Sequence, residues 1–260
     1  MRLLFIRHGD PNYENDTLTN KGKIEAQLLA DYIGRYSIDE IYVSPLGRAQ
    51  DTATYTKNTL LKKSTTLNWL QEFPGQVNAN LSKDVQQAFS TELVYNQTTK
   101  QYAPRIMWDI LPSYYANHPE LFDVNKWKDS PLFLGGDVIK QYDEVITQFD
   151  SFILQHGYKK NGLIYNVEMN NSKTIAFFCH YGITSILLAR LLNISPFIPL
   201  QFTALAPTSI TEVVTEERQK GIAIFRALKI GDISHLSIGH EPASFSARFC
   251  ELYENEDERH

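Results

Sequence analysis

The 260-residue sequence predicts an α/β protein: a three-layer α/β/α sandwich with a mostly parallel central sheet and an inserted, mainly helical cap. Three observations lead there. Short apolar runs alternate with longer stretches of helical periodicity. Two of the runs, Leu3–Ile6 and Lys173–Cys179, are nearly continuous in apolar residues, as strands covered on both faces are. Between the runs, from about 78 to 171, the composition shifts to Tyr, Trp, Phe, Asn and Gln, punctuated by Pro104, Pro112, Pro119 and Pro131. Residues 1–260 are therefore read as one α/β domain, with 78–171 as the cap inserted within it.

The elements follow in order. Leu3–Ile6 is a short central strand, and Asp10–Asp16 supplies polar turn residues. Thr19 is placed to N-cap a helix whose stripe runs through Ile24, Leu28, Leu29 and Ile33, with Gly34 near its end. Ile38–Val43 is the next strand. Ser44-Pro45 ends it and opens a helix reaching about Leu61, since a proline near a helix start removes only an N–H that would be unpaired anyway. Leu67–Gly75 is a loop or strand end. Val138–His156 reads as one helix, with Asp137 as its N-cap after Gly135-Gly136. Lys173–Cys179 is a strand followed by the helix of GITSILLARLLN. Thr208–Val214 and Gly221–Leu228 form a hairpin joined by the polar TEERQ, and the charged tail Tyr253–His260 is expected to fray.

The bulk composition narrows the function classes. At 43% hydrophobic and 21% charged residues, the chain has an ordinary globular balance. No apolar run approaches ~18 residues, and the N-terminal run is too short for a signal peptide and ends in Arg7-His8. A cytoplasmic protein without a membrane partner is expected. Two cysteines, Cys179 and Cys250, are too few for a disulfide framework. The net charge of −5 argues against a general nucleic-acid binder but leaves room for a locally basic pocket. GxxxxGK[ST], GxGxxG after the first strand, HExxH and CxxC are all missing, so no nucleotide, dinucleotide or metal signature competes.

Parallel α/β sheets place their sites beyond the carboxyl ends of the strands, and His8, Ser44 and His180 fall at such ends. In RHG, Arg7 offers a rigid fork of donors suited to an oxyanion. His8 offers a nucleophilic ring nitrogen near neutral pH, and Gly9 allows a sharp turn. In SPLGRAQDT, Arg48 sits in the first turn of a helix, where a cation opposes the helix dipole unless an anion lies between them. Glu72, flanked by Trp69, Leu70 and Phe73, is a candidate proton donor. Each alone also reads as a structural residue: a satisfied histidine, a solvated arginine, a loop carboxylate. Together they combine a nucleophile, oxyanion donors and a proton source.

These segments resemble the histidine phosphatase superfamily, in its phosphoglycerate-mutase-like branch. The resemblance rests on RHG at Arg7–Gly9, LTNKGKIEAQLLA at Leu18–Ala30, SPLGRAQDTA at Ser44–Ala53, the Glu of LQEFPG, and the late His180, in the family's order. It implies a histidine-type acid phosphatase or phosphomonoesterase acting on a small-molecule phosphomonoester without a cofactor or metal. In that reading His8 carries the phosphoryl group. Arg7, Arg48 and His180 bind it, Asn12 joins the pocket, and Glu72 is the acid and then the base. A mutase is the alternative within the family, and a non-catalytic phosphate-binding module the alternative outside it. The departures are RHGDPN around Asn12 and Tyr181 in CHYG, where the family more often has glycine. Tyr181, Arg105 and Tyr114 are the specificity candidates, with the cap's own core as the competing role for its aromatics. Cys179 reads as a core thiol, and His235 as a support for the final strand near the site.

Overall fold

The apolar run near the N-terminus forms β1 (Arg2–Arg7), whose Leu3–Ile6 are all buried, in a computed structural model that describes residues 1–91, 93–247 and 252–255. Cys250 and the tail beyond Asn255, with His260, lie outside the described residues. The other strands of the central sheet are β2 (Glu40–Val43), β3 (Thr65–Thr66), β4 (Tyr158–Asn161), β5 (Ile164–Val167), β6 (Thr174–Cys179), β7 (Ile210–Gln219) and β8 (Ile222–Asp232). They form one eight-stranded sheet in the order β4-β5-β8-β7-β1-β6-β2-β3. The β1/β6, β6/β2 and β2/β3 pairs are parallel, whereas β7, β8, β5 and β4 continue the sheet antiparallel. Six strands thus share one direction, and only β7 and β5 are reversed. With its flanking helices this is a three-layer α/β/α sandwich with helical insertions.

The chain divides into two compact units, one of Met1–Glu72, Ile153–Thr184 and Thr203–His260, the other of Phe73–Phe152 and Ser185–Phe202. In the first, α1 (Asn20–Ile33) starts where the sequence predicts. Thr19 caps it, its Oγ1 accepting the Gly22 N–H at 3.0 Å. A Cβ on Gly22 would lie 2.2 Å from the Asp10 carbonyl oxygen, so only glycine lets the first turn of α1 lie against the loop after β1. α2 (Gly47–Leu60) begins two residues after Pro45. Alternation along the strands sends Leu4 and Ile6 of β1 with Ala176 and Phe178 of β6 into one cluster. Leu29 and Ile33 of α1 and Ala49 and Ala53 of α2 complete it. The alanines let α2 approach the sheet closely, and burying each large side chain there stabilises by about 1.5–3 kcal/mol.

The second unit is built around aromatic side chains. Trp127 is buried, with ring centroids 4.8 Å from Tyr142 and 5.6 Å from Phe133. Short helical turns dominate it, together with two-residue ribbons pairing Gln76–Val77 with Arg105–Ile106 and Tyr95–Asn96 with Gln101–Tyr102. The long helix α3 (Val138–Gln155) matches its predicted extent and directly follows Asp137. The helix after β6 is α4 (Tyr181–Leu192). Among the described residues no helix is long and apolar enough to cross a membrane.

Three local readings change. Residues 158–167, read from sequence as part of the insertion, form β4 and β5 of the central sheet, because Asn161–Ile164 makes a tight turn and Tyr165 pairs with Ala223 of β8. TEERQ is not the connection of the last hairpin but the end of β7. Cross-strand pairing of Glu216 with Arg226 lets polar residues extend the strand. The loop after β1 is not wholly irregular, since Pro11–Asn12 pairs with Thr17–Leu18.

Candidate active site

Strand register gathers the site. Arg7 of β1 pairs with Cys179 of β6, and Phe178 of β6 pairs with Val43 of β2. The three strands therefore stop at one level, and the residues that follow them, His8, His180 and Ser44, emerge side by side. The ladder continues one step beyond the strands: His8 N–H donates to Cys179 O at 3.0 Å, and Ser44 N–H to Phe178 O at 2.9 Å. Leu67 N–H then bonds Val43 O, leading the chain from the same edge toward Glu72.

His8 is 2% exposed. Its Nδ1 lies 2.8 Å from the Gly9 carbonyl oxygen, which only accepts, so Nδ1 carries the proton and Nε2 keeps its lone pair. Burial, the Arg7 charge and the neighbouring His180 hold its pKa well below the usual imidazole range. The His180 ring lies 5.1 Å from that of His8, centroid to centroid. Burial, then Arg48 and Arg7, pull the His180 pKa down to about 2, so this ring is neutral as well. Its Nε2 is 2.7 Å from Ser44 Oγ, and its Nδ1 is buried without a partner among the described residues.

Two guanidiniums flank the imidazoles. Arg7 Nη1 donates to Leu205 O at 2.6 Å, and its Cζ lies 5.9 Å from the centre of the Tyr181 ring. Arg48 Nη1 donates to Asp16 Oδ1 at 2.6 Å, while Asp16 Oδ2 accepts the Gly47 N–H at 2.6 Å. Burial alone would raise the Asp16 carboxyl, but these bonds from Gly47 and Arg48 outweigh it and hold its pKa below the usual value. Among the described residues, the Nε atoms of both arginines are buried without partners. Glu72 closes the set, its Oε1 accepting the Ile183 N–H in the first turn of α4 at 3.1 Å.

The structure thus brings together Arg7, His8, Arg48, Glu72 and His180. It places the other candidates differently. Asn12 Oδ1 accepts the Asn15 N–H at 3.3 Å, closing its own loop. Tyr181 commits its hydroxyl to Thr203 O at 3.3 Å and offers its ring to Arg7. Arg105 and Tyr114 belong to the second unit. There Arg105 pairs with Asp109 at 3.4 Å, and buried Tyr114 stacks on His118 while its hydroxyl bonds Asp84 at 3.0 Å. Cys179 is fully buried, its thiol pushed up to about 12 by burial, and so is no nucleophile at neutral pH. His235 acts through Thr208. The Thr208 hydroxyl donates to Pro207 O, so His235 Nε2–H donates to Thr208 Oγ1 at 2.8 Å. Thr208 N–H in turn bonds the carbonyls of Arg7 and His8 at 3.1 and 3.2 Å.

Sequence reasoning missed the roles of Asp16, Ser44 and Thr52. Thr52 Oγ1 accepts Gly9 N–H at 2.9 Å and donates to Arg48 O at 2.7 Å, joining the two arginine loops. Its place inside the SPLGRAQDTA segment was the available signal. Nothing in the sequence pairs Asp16 with Arg48.

Residues 3–106 match the model of the histidine phosphatase superfamily, branch 1. Among solved structures, this chain is similar in fold to a phosphoserine phosphatase mutant from Entamoeba histolytica in complex with phosphoserine. That match has 19% identity and a TM-score of 0.55, covering 90% of this chain and 98% of the other. A mycobacterial hydrolase 1 is similar at 14% identity and a TM-score of 0.55, covering 89% and 98%. A mycobacterial glucosyl-3-phosphoglycerate phosphatase follows at 15% identity and 0.52, covering 87% and 96%. No curated protein matches the sequence.

Proposed function

We propose that the chain hydrolyses small-molecule phosphomonoesters through a phosphohistidine formed on His8. One observation carries this reading. Around an imidazole whose Nε2 is uncommitted, three buried nitrogens, Arg7 Nε, Arg48 Nε and His180 Nδ1, have no hydrogen-bond partner among the described residues. Such orphaned polar groups are costly unless a ligand satisfies them, and an oxyanion with several acceptor oxygens does so. Nε2 of His8 attacks phosphorus as the bond to the ester oxygen breaks. The arginines and His180 hold the remaining oxygens and offset their charge. Glu72 protonates the departing alkoxide, then takes a proton from the water that attacks the phosphohistidine and returns free His8 and inorganic phosphate.

The test is phosphate release from a panel of phosphomonoesters with chelator present, beginning with phosphoserine and glucosyl-3-phosphoglycerate, the compounds tied to structures of similar fold. Release is expected for part of the panel, with His8→Ala lowering turnover on the order of 10⁴-fold or more. Near-wild-type turnover in that variant would remove His8 from the role. Exchange of phosphoryl groups between glycerate phosphates without net release would identify a mutase instead.

A further inference from the structure

The hydroxyl of Ser44 poses a question of proton count. Ser44 and His180 are both fully buried, with Ser44 Oγ and His180 Nε2 2.7 Å apart. Ser44 Oγ already accepts the Leu46 N–H at 3.2 Å, and among the described residues the only other group that bonds the hydroxyl is the imidazole. A neutral imidazole carries one N–H. If it sat on Nε2 and pointed at Ser44, the serine proton would be buried without an acceptor. If the serine donates instead, its proton is satisfied, and the imidazole proton must sit on Nδ1. That is the atom with no partner among the described residues, on a ring 5.1 Å from that of His8.

We propose that Ser44 is a positioning residue whose hydroxyl donates to Nε2 of His180 and so fixes the Nδ1–H tautomer, giving the anion site a neutral N–H donor. The inference rests on the oxyanion-binding reading of the site. It explains how a histidine between two guanidiniums assists anion binding without a proton of its own to gain. The other tautomer would turn a lone pair toward the anion and repel it. No proton leaves His180 in either half of the reaction.

Histidine tautomers are distinguished by two-bond ¹H–¹⁵N correlation spectra of ¹⁵N-histidine-labelled protein, with His180→Gln providing the assignment. The wild-type protein is expected to show His180 protonated at Nδ1, both free and with inorganic phosphate. Ser44→Ala is expected to shift it to a mixture or to the Nε2–H form, and to weaken phosphate binding and lower kcat each on the order of 10- to 100-fold. A protonated Nε2 in the wild-type spectrum overturns the proposal, and this arm needs no variant of Ser44 to fold. So does a Ser44→Ala protein that keeps the Nδ1–H tautomer and its phosphate affinity. The two readings fail separately. Lack of turnover on every phosphomonoester would sink the phosphatase reading, while the spectra and phosphate titration would still decide the role of Ser44.

Discussion

At His8 a single hydrogen bond fixes which ring nitrogen keeps its lone pair. With Nδ1–H committed to the Gly9 carbonyl, Nε2 is the nitrogen left for the proposed attack on phosphorus, and burial beside two arginines keeps it unprotonated. The opposite demand falls on Glu72 in the proposed reaction, where it gives a proton to a poor leaving group and is dispensable for a good one. Glu72→Gln is therefore expected to slow alkyl phosphomonoesters on the order of 100-fold or more, and p-nitrophenyl phosphate far less. Equal slowing of both substrates, measured as kcat, would exclude it as the acid. Arg7, His8 and His180 were legible because each follows an apolar run that a strand explains. Ser44 was placed at a strand end but given no role, since its partner lies 136 residues away.

Among the elements, α1 is held to the loop carrying His8 by more than its cap. Glu25 is fully buried, and its Oε2 accepts the Asp10 N–H at 2.8 Å, two residues past His8. Lys21, at 4.0 Å, is its nearest cation, with Asp10 and Glu241 as like charges. Burial raises its pKa from 4.5 to about 7. Because the folded value lies above the unfolded one, its contribution to stability is complete below about pH 4.5 and lost as pH rises to about 7. Glu25→Gln imitates the protonated form and keeps an acceptor for Asp10. In urea unfolding the variant is expected to match wild type near pH 4.5 and to exceed it by about 3 kcal/mol above pH 7. A gap that does not widen with pH would contradict this. The Leu18–Ala30 segment announced a helix, while the reason for Gly22 and Glu25 within it emerged only when that helix met the loop.

Across the whole molecule, the far end of the parallel strands carries a second polar network, distant along the strands from the site. Glu40 at the start of β2 accepts from Lys173 Nζ at 2.6 Å and Tyr42 Oη at 3.0 Å, with His156 Nε2 also at 3.0 Å. Burial opposes ionisation, but the bonds from Lys173, His156 and Tyr42 win and lower its pKa to about 2. A depressed carboxylate contributes stability above about pH 4.5 that is lost as pH falls toward 2. Thermal unfolding of Glu40→Gln is expected to show a lower Tm than wild type at neutral pH and a difference that shrinks on acidification. A difference independent of pH would rule the charge out as its source.

The sequence by itself determined the α/β class, the extents of α1 and α3, and the residues that meet at the site. Those follow from local rules: apolar runs make strands, 3.6-residue periodicity makes helices, and chemistry-bearing residues at strand ends project into one crevice. Only the tertiary structure decided that 158–167 joins the central sheet, that Asp16 holds Arg48, and that Ser44 faces His180. It also left Asn12 closing its own loop and Tyr114 inside the second unit. Each of these depends on a contact between segments far apart in sequence, where strand register and helix packing, rather than any local pattern, choose the neighbours.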